Sequence, residues 1–358
     1  MSVVNDRSRE RPAEWSPQHA VDRYLRRRGA DATDASIKGW RYRLRHFVRF
    51  CATLGIEQVG QLQPLDIDEF FDHRAGQIKP VTLEGEMWTL HQFLKYLQSV
   101  NAVQAGLNDA VRIPDVDADE RSSDLKLDTD AALALLEYYR SSDDFGTRDH
   151  AILELLWMVG ARQGGLRSLD LQDVSLEAAY VEFRQRDTGP NLKNGVDGER
   201  PAGVPETTVA ALEHYISHSR LDMIDDDGRA PLFPSNRGRP TENTFRNWTY
   251  QATQPCLHRS CPHGHERSSC DWTRQAHSSK CPSSRAPHHV RTGSITYQLN
   301  KGFPPAVVAE RVNADVKTIK QHYDKADRQE RRRRQRQNME QNRRQYVNDL
   351  EDLNGPNE

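Results

Sequence analysis

The stretch from Pro114 to Asp124, PDVDADERSSD, holds a single apolar side chain, Val116, among acids, serines and an arginine. A segment this polar cannot bury enough surface to offset the cost of ordering it. It predicts an interdomain linker over residues 113–124, with a separate core on either side. The chain has 358 residues, enough for two domains of ordinary size.

Before the linker the pattern is helical. Ser16-Pro17 reads as an N-cap followed by proline at the first helical position, opening a short helix through Tyr24 and Leu25. Residues 1–15 are polar and charged and are expected to be disordered. Ile37, Trp40, Leu44, Phe47, Val48 and Cys51 recur at three- and four-residue spacing, which makes one apolar stripe ending at Gly55. Lys38, Arg41, Arg45 and Arg49 repeat on another face and could meet a phosphate backbone; the plainer account is a solvated charged face. Helices from about Leu65 past Phe71 and from Pro80 through Leu97 follow, so residues 16–112 predict a small all-helical bundle.

After the linker a helix carries Leu133, Leu135, Leu136 and Tyr139, and a strongly apolar one reads AILELLWMVGARQGG. Then come a strand at Tyr180–Phe183, a polar turn with Gly and Lys, a helix from about Glu206 and another after Pro240-Thr241. A loop-like region rich in Cys, His, Ser and Pro runs from Cys256 to Pro287, and two short helical stretches lead to Tyr323. The fold class expected is mainly α with a small β-sheet, an α+β domain over residues 125–328 with an insertion at 256–281. The arginine-rich tail, residues 329–358, reads as one basic polar helix, either solvated, packed on a neighbouring subunit or touching nucleic acid.

The net charge of −2 sums 50 Lys+Arg against 52 Asp+Glu, and it neither supports nor opposes a nucleic-acid partner, which responds to a local basic face. No apolar run would span a bilayer, and the first residues, MSVVNDRSRERPAEW, lack a signal-peptide core. A soluble intracellular protein is therefore expected.

Five residues of the second half carry chemistry in combination. Arg162 stands in MVGARQGGLRSLDLQDV, Lys193 in NLKNGVDGERPAGVP, His288 and Arg291 in APHHVRTGSITYQLNKG, and Tyr323 in RVNADVKTIKQHYDKAD. Each alone is uninformative, since an arginine after an apolar helix is usually a cap partner and the chain has 11 tyrosines. Together they supply a side-chain nucleophile, planar cations matched to phosphate oxygens, and proton donors for a leaving oxygen.

In that order the residues resemble the catalytic domain of tyrosine recombinases, the phage integrase family. RDHAILELLWMVGARQGGLRSLDLQDV resembles the family's first box, HHVRTGSITYQLNKGF its second, and VVAERVNADVKTIKQHYD the box that ends in the nucleophile. The helical N-terminal part resembles the core-binding (SAM-like) domain, and SSKCPSSRAPHHVRTGSIT resembles the archaeal branch. The likeness extends over roughly Ala20 to Asp327. It implies a site-specific DNA recombinase that cuts and rejoins duplex DNA through a 3'-phosphotyrosyl bond at Tyr323. Arg162 and Arg291 would clamp the phosphate, Lys193 would protonate the leaving 5'-oxygen, with Lys126 and Lys280 also available, and His288 would assist proton transfer and orient the phosphate. It also implies a homotetramer on paired sites, no cofactor for the chemistry, no small-molecule substrate, and work at the nucleoid in the cytoplasm.

Two positions depart from the family pattern. Ala314 stands nine residues before Tyr323, where the family has His or Trp, leaving a phosphate donor to come from elsewhere, for example Asn313 or His322. Gly165 stands where an acidic residue usually orients the first arginine. These departures keep open a non-catalytic DNA-binding protein on the same scaffold; a type IB-like topoisomerase uses similar groups without a specific site.

Cys256, Cys261, Cys270 and Cys281 fall within one loop, a spacing that suggests a structural zinc site more than disulfides. His258, His263, His265 and His277 are spare ligands, and the plainer account is an insertion with free thiols. Four thiolates would close the metal, which argues against a zinc hydrolase. Cys51, on the apolar stripe, is expected to be a core residue.

Overall fold

The structure, a computed structural model, describes residues 11–117 and 125–322, together with positions 336, 339, 340 and 343. The chain divides into two compact units, Met1–Ser123 and Asp124–Glu358. Part of the expected linker, Tyr323 and nearly all of the basic tail lie outside the described residues.

Among the described residues the first unit has four α-helices: α1 (Pro17–Arg28), α2 (Asp34–Thr53), α3 (Pro64–Ala75) and α4 (Pro80–Ser99). Their starts are written in the sequence. Ser16 and Thr33 accept the backbone N–H of His19 and Ser36, while α1, α3 and α4 open on a proline whose missing N–H costs nothing there. Gly55 adopts φ +70 just past α2, a left-handed stop. Leu44, Phe47, Phe70, Phe93 and Leu94 are buried between the helices, and the rings of Phe47 and Phe70 meet edge to face at 5.2 Å. One expectation is corrected: residues 12–15 are ordered, because Pro12–Glu14 form a 3-10 turn that seats Trp15 in this core at 6% exposure.

The second unit surrounds one apolar helix. In chain order it has α5 (Thr129–Ser141), α6 (Arg148–Val159) and α7 (Gln163–Ser168), then a three-stranded antiparallel sheet. Its strands are β1 (Val174–Ser175), β2 (Tyr180–Phe183) and β3 (Arg200–Gly203), in the order β1-β2-β3. There follow α8 (Glu206–His214), which widens into a π turn at Tyr215–Ser219, then α9 (Glu242–Ala252), α10 (Pro287–Asn300), α11 (Pro305–Val312) and α12 (Val316–His322). Helix α6 is apolar around most of its circumference because α5, α8, α9 and α10 all pack on it. Of its two acids, Glu154 is fully buried and accepts from Arg140, His150 and Thr208. Tyr180 pairs with Gly203 and Phe183 with Arg200. Strand β3 was not anticipated, since Arg-Pro-Ala-Gly has little strand propensity; an edge place in the sheet tolerates its proline.

Helix α10 approaches α6 more closely than a side chain would allow. A Cβ at Gly293 would stand 2.1 Å from the carbonyl oxygen of Leu127 and 2.9 Å from the Trp157 ring. Leu127 in turn donates its N–H to the carbonyl of His289 at 3.0 Å, and Arg285 donates to the carbonyl of Lys126 at 3.1 Å. The start of the second unit is thereby fixed to the first turn of α10.

In the first unit, Arg74 grips Glu86 through two bonds of 2.9 Å, with both side chains under a tenth exposed. A buried pair is costly to break from one side because the remaining charge is stranded. Glu86→Ala is therefore expected to destabilise the first unit by about 3–5 kcal/mol. This would appear as an earlier transition of that unit in urea unfolding of the full chain; an unshifted transition would contradict it.

Candidate active site

The site is organised by the end of α11. The helix stops because Asn313 adopts φ +52, a left-handed conformation that asparagine tolerates. Any helix end leaves carbonyls without intrahelical partners. Here the carbonyls of Ala309 and Glu310 accept the N–H groups of Ala314 and Asn313. The next three go to three arginines from three other elements. Arg200 of β3 donates to Arg311 O at 2.8 Å, Arg291 of α10 to Val312 O at 2.7 Å, and Arg162, at the start of α7, to Asn313 O at 2.5 Å. Cations also complement the negative end of the helix dipole.

Arg291 and Arg200 are further held, and so is Arg311. Arg291, 1% exposed, uses the same Nη1 to reach Gly160 O at 2.6 Å, so it joins the carbonyl ends of α6 and α11. Gly160 has φ +65, and a Cβ there would press on Ser294 and Val312. Arg200 lies 4.3 Å over the ring of Phe183 and donates to Gly198 O. Arg311 reaches Met158 O and Gly203 O.

The local field is positive. Burial, followed by Arg291, Arg162 and Arg311, brings the Arg200 pKa down to about 10. His288 is held below the ordinary histidine value by desolvation first and by Arg291 and Arg162 next. Its side chain is solvent-exposed at the start of α10. The charges of the described residues that lower these two groups are positive, an arrangement suited to an anion.

Lys193 is exposed in the turn between β2 and β3, where Asn194 and Gly195 both have positive φ. Its carbonyl accepts from the Asn313 side chain at 3.0 Å. Among the five residues singled out in the sequence, then, Arg162, His288 and Arg291 lie close enough to perturb one another, and the Lys193 turn is tied to the same corner. Tyr323 lies just beyond α12, outside the described residues. Arg200, Arg311 and the structural part of Asn313 escaped sequence analysis, because an arginine that caps a distant carbonyl leaves no local motif.

The two departures have physical correlates. Gly165 sits where a Cβ would come within 3.3 Å of the Phe183 ring, so α7 packs too closely on β2 to favour a larger side chain there. Arg162 is oriented by the Asn313 carbonyl. Ala314 packs against the small apolar cluster of Ile295, Val308 and Ile319. The Asn313 amide is engaged with the Lys193 turn, and the side chain of His322 lies outside the described residues.

The zinc expectation is corrected. Among the described residues no three His, Cys, Asp or Glu side chains gather as a ligand set, and all the cysteines are free thiols. Cys281 is buried and Cys256 accepts from Arg267 at 3.0 Å. The loop is ordered by bonds to the end of α9: Gln254 to Trp272 O at 2.7 Å, Gln251 to Thr273 O at 3.1 Å, and Arg285 N–H to Thr253 at 2.8 Å. His263 meets Ser283 and His277 meets Asp271. Cys51 is fully buried on α2, and its thiol is pushed up to about 12 by burial. On the opposite face of that helix Lys38, Arg41, Arg45 and Arg49 are exposed, with Arg41 paired to Asp22 at 2.8 Å.

The profile of the phage integrase family matches residues 126–330, more than half of the chain. The chain belongs to the phage integrase family. Among curated relatives, the chain is 26% identical over 217 residues to tyrosine recombinase XerD of Shewanella oneidensis, covering 60% of this chain and 67% of that one. It is 30% identical over 167 residues to tyrosine recombinase XerC of Syntrophus aciditrophicus, covering 45% and 49%. The chain thus spans from about half to two thirds of the length of these relatives. Among solved structures, the Tn1549 transposon integrase in complex with a circular intermediate DNA superposes with a TM-score of 0.62 at 14% identity, covering 90% of this chain and 99% of that chain. A lambda integrase dimer bound to a COC' core site superposes at 0.56 and 13% identity, covering 89% and 77%. At these identities the likeness is one of fold: two units, mostly helical, with a small sheet. No helix among the described residues is long and apolar enough to cross a membrane.

The His288 environment gives a pH signature. A base whose folded pKa is depressed contributes stability above its unfolded pKa of about 6.5. That contribution is lost as pH falls through the lowered value, because the unfolded chain takes the proton first. NMR titration should place His288 below the ordinary value, and added inorganic phosphate should move it upward. A normal pKa that phosphate leaves unchanged would rule out the proposed field.

Proposed function

We propose that this chain is a site-specific DNA recombinase that cuts and rejoins duplex DNA through a covalent 3'-phosphotyrosyl intermediate on Tyr323. The observation that carries the proposal is the set of arginines fixed on one helix end, from which Arg162 and Arg291 come together near enough to His288 to lower its pKa. Family membership supports it.

In this reading Arg162 and Arg291 hold the scissile phosphate. A guanidinium has five donors in one plane, so anchoring one edge to a carbonyl fixes where the fork points. As the Tyr323 oxygen bonds to phosphorus, the bond to the 5'-oxygen breaks, and Lys193 gives that oxygen its proton. His288, uncharged near neutrality, assists proton transfer on the tyrosine side. A 5'-hydroxyl of another strand then attacks the phosphotyrosyl bond and releases the tyrosine. Bond energy is conserved and no cofactor or small-molecule substrate is required. Lys38, Arg41, Arg45 and Arg49 supply backbone contacts from the first unit. A homotetramer on paired sites, at the nucleoid of the cytoplasm, is the working assembly.

Ala314 motivates one other reading, a DNA-binding protein that does not cleave, since its methyl offers the phosphate no donor. A nicked suicide duplex carrying the target site separates the two. Wild type should give an SDS-stable protein–DNA adduct, Tyr323→Phe none, and Arg162→Ala an adduct formed about 10²–10³-fold more slowly. Binding to a confirmed site with no adduct from wild type would establish the non-cleaving reading instead.

A further inference from the structure

Asn313 does more than end a helix. Glycine would fill a left-handed C-cap with less strain, so the asparagine side chain calls for its own explanation. Its two ends both go to the turn that carries Lys193: the amide Nδ2 donates to Lys193 O at 3.0 Å, and Oδ1 accepts from Asn194 Nδ2 at 3.2 Å. Its backbone carbonyl holds Arg162. The far side of the turn is packed down on the same group, since a Cβ at Gly198 would stand 2.6 Å from Lys193 O and 2.8 Å from Asn313 Nδ2. The turn's other ties lie at its ends, where Gln185 Oε1 accepts the Leu192 N–H at 2.9 Å and Arg200 donates to Gly198 O at 3.0 Å. Between them Asn194 and Gly195 both adopt positive φ, and Lys193, Asn194 and Val196 are exposed. One residue therefore joins the anchored arginine to the exposed middle of the lysine turn.

We infer that Asn313 is a positioning residue for leaving-group protonation: it sets the Lys193 turn at a fixed distance from Arg162, so that the lysine ammonium meets the 5'-oxygen of a phosphate that Arg162 holds. The inference rests on the proposed role of Lys193 as the proton donor. In this role Asn313 acts through the turn and not on a reacting atom: one of its two amide protons and its Oδ1 are both used there. The bond balance is that of the cleavage step already given, with the proton passing from the Lys193 ammonium to the departing 5'-oxygen. Asn313 affects only how often the ammonium is within reach.

A positioning role acting through an acid has a chemical signature. A duplex with sulfur in place of the bridging 5'-oxygen expels a thiolate, which needs no proton, so defects in the acid vanish on it while defects in the phosphate clamp persist. Asn313→Gly keeps the left-handed backbone and the carbonyl to Arg162 but removes both bonds to the turn. Single-turnover cleavage of ordinary DNA should fall about 10²–10⁴-fold in Lys193→Ala. It should fall on the order of 10- to 100-fold in Asn313→Gly. On the sulfur-bridged duplex both variants should match wild type, and Arg162→Ala should remain slow. Asn194→Gly, which deletes one of the two bonds from the turn side without touching α11, should show a smaller defect with the same rescue; it serves if Asn313→Gly does not melt like wild type. Rescue of Lys193→Ala without rescue of Asn313→Gly and Asn194→Gly would overturn the inference alone. So would wild-type rates for both asparagine variants on ordinary DNA. Failure of Lys193→Ala to be rescued would remove Lys193 as the acid, and the inference with it.

Discussion

Three carbonyls at the end of one short helix determine where three arginines stand. Helix α11 has eight residues, too short to be stable alone, and its last turn would leave oxygens unpaired in a partly buried place. The guanidinium groups of Arg200, Arg291 and Arg162 satisfy those oxygens, and the helix end in return holds three like charges together. Such crowding is unfavourable in itself, and after burial it is the neighbouring guanidinium groups that lower the pKa of Arg200. Oriented carbonyl dipoles offset part of that repulsion, and a bound polyanion would offset more. The elements that carry the arginines, α7, α10 and β3, are thus held to a common point although they are far apart in the chain.

Much of the fold was legible because its signals are local. The stripe of Leu44 and Phe47, the caps at Ser16 and Thr241, and the stop at Gly55 each depend on residues a few positions apart. Strand β3 was not legible, since Arg200-Pro201-Ala202-Gly203 becomes a strand through pairing with Tyr180–Phe183 and through Arg200 lying on Phe183. Trp15 was assigned to a disordered end because a polar neighbourhood hides one anchoring ring.

The site divides along the same line. Arg162, His288 and Arg291 stand in motifs whose order survives in the sequence. Arg200, Arg311 and the Asn313 bridge are recognisable only in three dimensions, as each acts on a backbone group more than a hundred residues away in the chain or supports one that does. The cysteine spacing misled for a related reason. Four thiols in one loop fit a metal by count, but the loop finds its order in glutamine and threonine side chains at the end of α9 that bond its backbone.

The attachment of Leu127 to α10 has a mechanical meaning. The chain entering the second unit is clamped at Lys126 and Leu127, by Arg285, by the carbonyl of His289, and by the space that Gly293 leaves open. Slack added before this clamp is absorbed outside the unit, whereas a change at the clamp itself reaches the first turn of α10 and His288 with it. The junction is thus a boundary condition on the site: it admits variation in the length of the connector and little variation in where the connector lands.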